Sequence, residues 1–323
     1  MLLNGIENVH LEPTARCNAG CPMCSRTGNS YILNNQGEIN YEQFRQIFPP
    51  SFIKGLKKFK FCGNYGDPAA AKDLLKFHEY IYAYNPTIEF ILSTNGGLRT
   101  PKFWEQLAAY YLPHSHVQFH IDGLEDTNEI YRVGVRWDKL MENVKAFNNA
   151  GGTSKWFWIP FFHNEHQIEK GEKLSNEIGC KEFVIKVSAR FRDGSQPFVY
   201  DNGTKRIYPP VSDRFRFEKF QTDGKLQCVS ELRKEIYVDA WAKLWPCCWT
   251  ASASRVNPQW VIDNDLTKRS IEEIMSDPVT DEWVNKLYSK SGSVCNRRCT
   301  GKYIHIIDRQ GKQVPQKDYW LEE

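Results

Sequence analysis

The sequence predicts an α/β fold, a partial (β/α)6 TIM-like barrel followed by a small C-terminal α+β domain, and three observations carry that reading. From residue 8 to about 187, short apolar runs alternate with segments of helical periodicity, the pattern of a parallel sheet with crossover helices. A stretch rich in Gly, Pro, Asn and Asp, Arg192–Arg214, then breaks the rhythm. Five of the ten cysteines fall into two tight groups, one near each end of the chain. At 323 residues the chain exceeds the usual size of one domain, so the boundary is set in the turn-rich stretch, giving 1–205 and 206–323.

The expected strands are Asn8–Glu12, Lys58–Cys62, Ile88–Ser93, Val117–Asp122, Lys155–Phe162 and Glu182–Val187. Between them Ala70–Tyr84 repeats Leu74, Phe77, His78 and Ile81 at helical spacing, and Trp137–Asn149 repeats Leu140, Val144 and Phe147. Each therefore has an apolar stripe to press on the sheet. Six such units do not close the eight-stranded barrel, which needs about 250 residues. One side stays open, wide enough for a large substrate.

Hydrophobic residues at 41 % and aromatics at 14 % are enough to bury a core. A net charge of +3 is too mild to argue for nucleic acid or an anionic membrane surface. Met1–Glu7 lacks the regions of a signal peptide and no apolar run approaches the ~20 residues of a membrane span, so a cytoplasmic protein is expected. In that setting cysteines serve as ligands or free thiols rather than disulfides.

The first group, Cys17, Cys21 and Cys24, has Cys-x3-Cys-x2-Cys spacing in the loop after the first strand. A cubane iron–sulfur cluster normally takes four thiolates, so three within eight residues leave one iron open. A zinc knuckle is the alternative and wants a fourth Cys or His close by. The loop resembles the signature of the radical S-adenosylmethionine enzymes. The resemblance implies that the open iron is chelated by the methionine amino and carboxylate groups of S-adenosylmethionine, that one electron splits the sulfonium, and that the resulting 5′-deoxyadenosyl radical abstracts a substrate hydrogen.

Three more strand ends carry unusual residues, at the barrel edge where function gathers. Gly63-Asn64-Tyr65-Gly66-Asp67-Pro68 is similar to the family's Gly-Gly-Glu-Pro segment, whose main chain receives the methionine amino group, with Tyr65 in place of the first Gly and Asp67 in place of Glu. Ser93-Thr94-Asn95-Gly96 resembles another family turn, in which Ser93 and Asn95 would hydrogen-bond cofactor or substrate; a plain turn is the other reading. His120-Ile121-Asp122-Gly123, with Arg132 ten residues beyond Asp122, is similar to a strand end where the Asp faces ribose or substrate and the Arg meets the methionine carboxylate. A solvated helix charge is the alternative for Arg132. His163 and His166 follow the fifth strand, where a helix cap is the preferred reading, and Lys186, Ser188 and Arg190 sit at the mouth by extrapolation.

The second group lies beyond the boundary. Glu235–Asp239 and Ala242–Cys248 read as a β-hairpin delivering cysteines from its second strand, between Cys228 and the pair Cys295 and Cys299. Helices are expected near Ile271–Met275 and Val279–Lys290. The arrangement resembles the SPASM/twitch extension of one radical S-adenosylmethionine branch, in its shorter twitch form, with Ala242 in a slot the family fills with Gly. It implies a second [4Fe-4S] cluster on Cys228, Cys247, Cys295 and Cys299, with Cys248 as a spare for Cys247 and zinc as the competing ion. Cys62 and Cys180 are taken as small core residues.

The implied protein is thus a two-cluster radical S-adenosylmethionine oxidoreductase or maturase with a twitch-like iron–sulfur domain. Its substrate would be a small molecule or short peptide, and a flavodoxin or ferredoxin would supply electrons, with no membrane or nucleic-acid partner. Maturation of a ribosomal peptide or protein side chain is the alternative within the class. A non-catalytic electron carrier or a zinc-binding module is the alternative outside it.

Overall fold

A computed structural model of the chain describes residues 5–188, 190–191, 197–216, 226–256, 263–289, 293–299, 304–307 and 313–315. Its elements run β1 (Asn8–Leu11), α1 (Ser30–Asn34), α2 (Tyr41–Ile47), α3 (Pro50–Lys54), β2 (Lys58–Phe61), α4 (Leu74–Tyr84), β3 (Glu89–Thr94), α5 (Pro101–Ala108), β4 (His116–His120), α6 (Asn128–Tyr131), α7 (Trp137–Asn149), β5 (Ser154–Trp158), α8 (Ile168–Glu177) and β6 (Glu182–Lys186). There follow β7 (Phe198–Tyr200), β8 (Lys205–Ile207), α9 (Val229–Leu232), β9 (Glu235–Val238), β10 (Leu244–Trp245), α10 (Cys248–Val256), α11 (Ile271–Met275), α12 (Pro278–Ser289), α13 (Val294–Cys299), β11 (Ile304–Ile307) and β12 (Gln313–Pro315). The six expected strands all form, and the mixed α/β fold is that of a partial barrel. Lys290, the expected end of one helix, lies outside the described residues.

The chain divides into two compact units that interleave along the sequence. One comprises Met1–Arg16, Ser30–Leu92 and Thr222–Gly301; the other comprises Cys17–Asn29, Ser93–Gln221 and Lys302–Glu323. β3 is shared, its last two residues being counted in the second unit.

In the first unit the strand order is β10-β9-β1-β2-β3, with β9, β1, β2 and β3 parallel and β10 antiparallel. The period of β2 explains its two faces. Phe59 and Phe61 are fully buried, beside Phe44 and Phe77, which stack at 4.3 Å. Lys58 and Lys60 point the other way, in register with Asn8 and His10 of β1. β1 carries Glu12 just past its end on this polar face, and Tyr237 of β9 is register partner to His10. The expected hairpin forms, but it does more than deliver cysteines: β9 extends the parallel sheet beside β1.

In the second unit the end of β3 is followed by β4, β5, β6, β11 and β12, the first three parallel and the last two antiparallel. Every residue of β5 is buried, including Trp156 and Trp158, as a strand covered on both faces requires. α7 forms over the predicted residues and buries Leu140, Val144 and Phe147. The turn-rich stretch contains a feature the sequence did not disclose, the hairpin β7–β8, whose turn holds Asp201, Asn202 and Gly203 at positive φ. β11 and β12, beyond the last cysteine, were likewise not anticipated.

Ala242, in the hairpin turn between β9 and β10, has φ +56°, a left-handed conformation that costs a non-glycine residue about 1–2 kcal/mol. Glycine would lift that strain and give back part of it as unfolded-chain entropy. Ala242→Gly should therefore raise stability by about 0.5–1 kcal/mol, seen as a higher urea midpoint with an unchanged slope. A lowered midpoint would contradict it.

Candidate active site and cysteine centres

The loop carrying the first three cysteines belongs to the second unit and is pinned by that unit's strand ends. Gly20 N–H donates to the Val133 carbonyl at 2.9 Å. Asn95, at the end of β3, donates from Nδ2 to Asn18 Oδ1 at 2.9 Å and reaches Cys17 Sγ at 3.6 Å. Its Oδ1 accepts the Gly97 N–H at 2.9 Å, and a Cβ on Gly97 would stand 2.8 Å from Val135 Cγ1. Asn95 thus serves the loop itself.

Each sulfur meets a donor. Ala19 N–H donates to Cys17 Sγ at 3.4 Å, Arg26 N–H to Cys24 Sγ at 3.4 Å and the Arg132 guanidinium to Cys21 Sγ at 3.7 Å. Cys21 is buried, and Cys24 stands within electrostatic reach of it. Amide and cationic donors to sulfur stabilise thiolates and tune a cluster's potential, so this donor set fits an iron–sulfur cluster.

Arg132 is held from behind. Its Nε donates to Asp122 Oδ2 at 2.6 Å, and Asp122 Oδ1 accepts the Ile159 N–H at 2.6 Å. Asp122 N–H donates to Asn128 Oδ1 at 3.0 Å, and Asn164 Nδ2 donates to the carbonyls of Asp122 and Ile159, both at 2.9 Å. Burial pushes the Asp122 carboxyl above the ordinary range, opposed chiefly by Arg132. Arg132 is desolvated too, yet Asp122, Cys21 and Tyr131 keep its pKa above the usual value. Lys186 acts electrostatically on Asp122 and Arg190 on Tyr131.

Ser93 and His163 also make contacts within this unit. Ser93 donates from Oγ to Gln118 Oε1 at 2.7 Å. His163 caps no helix; it stacks on Phe161 at 5.2 Å, and burial holds its pKa down at about 4.

In the first unit the turn after β2 is closed by backbone contact. A Cβ on Gly66 would lie 1.8 Å from the Thr14 carbonyl oxygen, and one on Gly63 would lie 2.6 Å from the Gly66 carbonyl oxygen. Only glycine fits at either position. Asp67 caps the short turn that follows, its Oδ1 accepting the Ala69 N–H at 2.9 Å. Tyr65 is buried, with its ring 6.2 Å from that of Trp241.

Holding this turn is a residue the sequence reading passed over. Glu12, fully buried, accepts the Tyr65 N–H at 2.6 Å and the Gly66 N–H at 3.0 Å on Oε1, and the Tyr237 hydroxyl at 2.6 Å on Oε2. Burial pushes its carboxyl up to about 7 despite these bonds, with Asp239 adding in the same direction. A single acid at the end of an apolar strand carries no periodic signal of burial.

The second set of cysteines lies in the first unit. Cys295 has Cys247, Cys299 and Cys228 as its electrostatic neighbours, and Gln227 N–H donates to the Cys299 carbonyl at 3.0 Å. The adjacent thiols divide: Cys248 is influenced by Cys247 but also by Lys60, Glu235 and Cys62. Cys62 is half-buried and its carbonyl engages His10 Nε2 at 2.8 Å, while Cys180 is buried. Among the described residues no three His, Cys, Asp or Glu side chains converge closely enough for one metal ion, and no helix is long and apolar enough to cross a membrane.

The first strand of the partial βα barrel thus runs into a loop of three thiols close in sequence, each with its own donor. The Radical SAM superfamily profile matches residues 11–170, just under half of the chain. Among curated proteins it is similar to GTP 3′,8-cyclase of Helicobacter pylori strain ATCC 700392 / 26695, 28 % identical over 318 residues that cover 87 % of this chain and 93 % of the relative. The enzyme of that name from Nautilia profundicola is 26 % identical over 308 residues, 86 % of this chain and 92 % of the relative. In fold it resembles Streptococcus suis SuiB bound to S-adenosylmethionine, with a TM-score of 0.59 and 12 % identity over 89 % of this chain and 70 % of that one. It also resembles anSMEcpe with bound AdoMet, at a TM-score of 0.55 and 14 % identity over 88 % and 81 %.

Removing one partner of a buried ion pair leaves the other uncompensated, at a cost of about 3–5 kcal/mol. Arg132→Ala should lower the urea midpoint accordingly, and Arg132→Ala with Asp122→Asn should recover part of the loss. An additive double variant would argue against the pair. A second expectation concerns pH. Because Glu12 titrates at about 7 when folded and near 4.5 otherwise, its contribution to stability is greatest below pH 4.5 and is lost as pH rises through 7. Across that window the wild type should lose on the order of 3 kcal/mol relative to Glu12→Gln, and parallel pH profiles would refute it.

Proposed function

We propose that this radical S-adenosylmethionine enzyme holds a [4Fe-4S] cluster on Cys17, Cys21 and Cys24 and binds S-adenosylmethionine at the iron they leave open. When bound, cluster and cofactor together supply the electron and the adenosyl radical that takes a hydrogen from the substrate. The observation that carries this reading is the donor at every sulfur of the trio, above all the Arg132 guanidinium braced by Asp122. Arg132 balances thiolate charge and has remaining N–H groups for a carboxylate.

A second [4Fe-4S] cluster, in a twitch-like domain, is proposed on Cys228, Cys247, Cys295 and Cys299. The mutual electrostatic influence of these four supports it, and the turn of Cys248 toward Lys60, Glu235 and Cys62 favours Cys247 as the ligand. This cluster would accept the electron left after hydrogen abstraction. A flavodoxin- or ferredoxin-type reductant would supply the first centre.

For substrate, a small anionic molecule is favoured over a peptide. The relatives matched along most of their length are named for a nucleotide reaction, and Lys186 and Arg190 add positive charge near Asp122 and Tyr131. Purine nucleotides are therefore the first compounds to offer.

Anaerobically reconstituted protein should carry about eight irons, two cubanes' worth. Changing Cys17, Cys21 and Cys24 together to Ala should remove about half of that iron and all release of 5′-deoxyadenosine from S-adenosylmethionine under dithionite. Cleavage lost with iron intact would contradict the ligand assignment, and zinc in place of iron would favour a binding module.

A further inference from the structure

Within the first unit, α12 buries Trp283, Val284 and Leu287 in a small core that includes Cys295, with Cys228 and Tyr288 packed against it. The stripe is apolar by position but not by atom. Tyr288 and Trp283 each bring a hydrogen-bond donor, and the Tyr288 hydroxyl and Trp283 Nε1–H are both shut off from solvent with no acceptor among the described residues. Buried tyrosine and tryptophan normally find a partner for that group, because leaving it bare forfeits the bond it had with water. Phenylalanine would fill much the same space without that loss. Two bare donors in one core point to an acceptor seated there.

The surroundings of the Tyr288 hydroxyl say which acceptor. Burial does most to raise its pKa, and the Cys228 thiol, Glu231 and Cys295 follow in that order. Glu231 is exposed on α9, whereas Cys228 is half-buried and Cys295 buried. Cys295 in turn has Cys247, Cys299 and Cys228 as its electrostatic neighbours. The hydroxyl therefore stands beside the four-cysteine set, on the side of Cys228. Trp283 stands nearer the hairpin, its ring 6.2 Å from that of Trp245, two residues before Cys247.

We propose that Tyr288 tunes the second iron–sulfur centre: its hydroxyl donates to a sulfur of that centre, on Cys228 or on the cluster Cys228 helps to hold, and raises the potential at which the centre takes up an electron. The proposal rests on the reading above that Cys228, Cys247, Cys295 and Cys299 hold a cluster. A hydrogen bond draws charge away from sulfur, and a reduced cluster has one electron more to spread over its sulfurs, so the bond strengthens on reduction. The exposed Glu231 carboxylate is the competing acceptor, and it would leave the potential where it is.

The test uses the full chain with Cys17, Cys21 and Cys24 changed to Ala, reconstituted anaerobically so that its iron reports the second centre, and follows reduction by electron paramagnetic resonance at set potentials. In this background Tyr288→Phe should keep about four irons. It should shift the reduction equilibrium roughly tenfold toward the oxidised form, a midpoint lower by about 59 mV for a one-electron couple. The reduced centre should also lose one exchangeable-proton coupling in electron–nuclear double resonance, whereas Trp283→Phe, which disturbs the same core more, should retain that coupling. An unchanged midpoint in Tyr288→Phe would overturn the proposal and leave the cluster reading standing. So would a shifted midpoint with the coupling retained, since that shift would come from packing. If the background holds no iron, or holds zinc, the cluster reading fails and the proposal falls with it. Should Tyr288→Phe not accumulate as iron-loaded protein, Tyr288→Met, which fills the gap flexibly and also lacks a donor, takes its place under the same criteria.

Discussion

A parallel strand that stops leaves backbone amides beyond its last rung without partners, and a buried amide must find an acceptor. In this protein side-chain oxygens answer at one strand end after another. Glu12 takes the amides after β2, Asn95 that of Gly97 after β3, and Asp122 that of Ile159 after β5. Asn128 takes the amide of Asp122 after β4, and Asp239 takes two in the hairpin turn. In each of the two units these strand-end side chains are occupied in holding the backbone.

This explains which parts of the molecule were legible in the sequence. The barrel strands were, because β3 and β5 carry the unbroken apolar runs Phe90-Ile91-Leu92 and Trp156-Phe157-Trp158 and β2 alternates cleanly. The cysteine trio was, because its spacing has few structural uses. The pairing of β9 beside β1 was not, since Glu235-Ile-Tyr-Val reads the same in an isolated hairpin as in a parallel sheet. The β7–β8 hairpin was lost among turn residues that its own tight turn demands.

Within the site, residue type was readable and orientation was not. Asn95 and Asp122 stand out in the sequence, and their side chains face Asn18 and Arg132, a matter of rotamer and loop path that no local pattern encodes. Cys247 and Cys248 could not be told apart by spacing because neighbours in a chain differ only in direction. Glu12 was missed for the converse reason: its meaning lies in residues 53 and 225 positions away.

The pleat of β1 has a last implication. His10 and Glu12 share one side of the strand while Val9 and Leu11 press on the opposite layer, so a one-residue slip of β1 in its register would reverse all four at once. The acid would then face Phe59 and Phe61, and two amides would be stranded. The first strand can therefore change length only in steps of two.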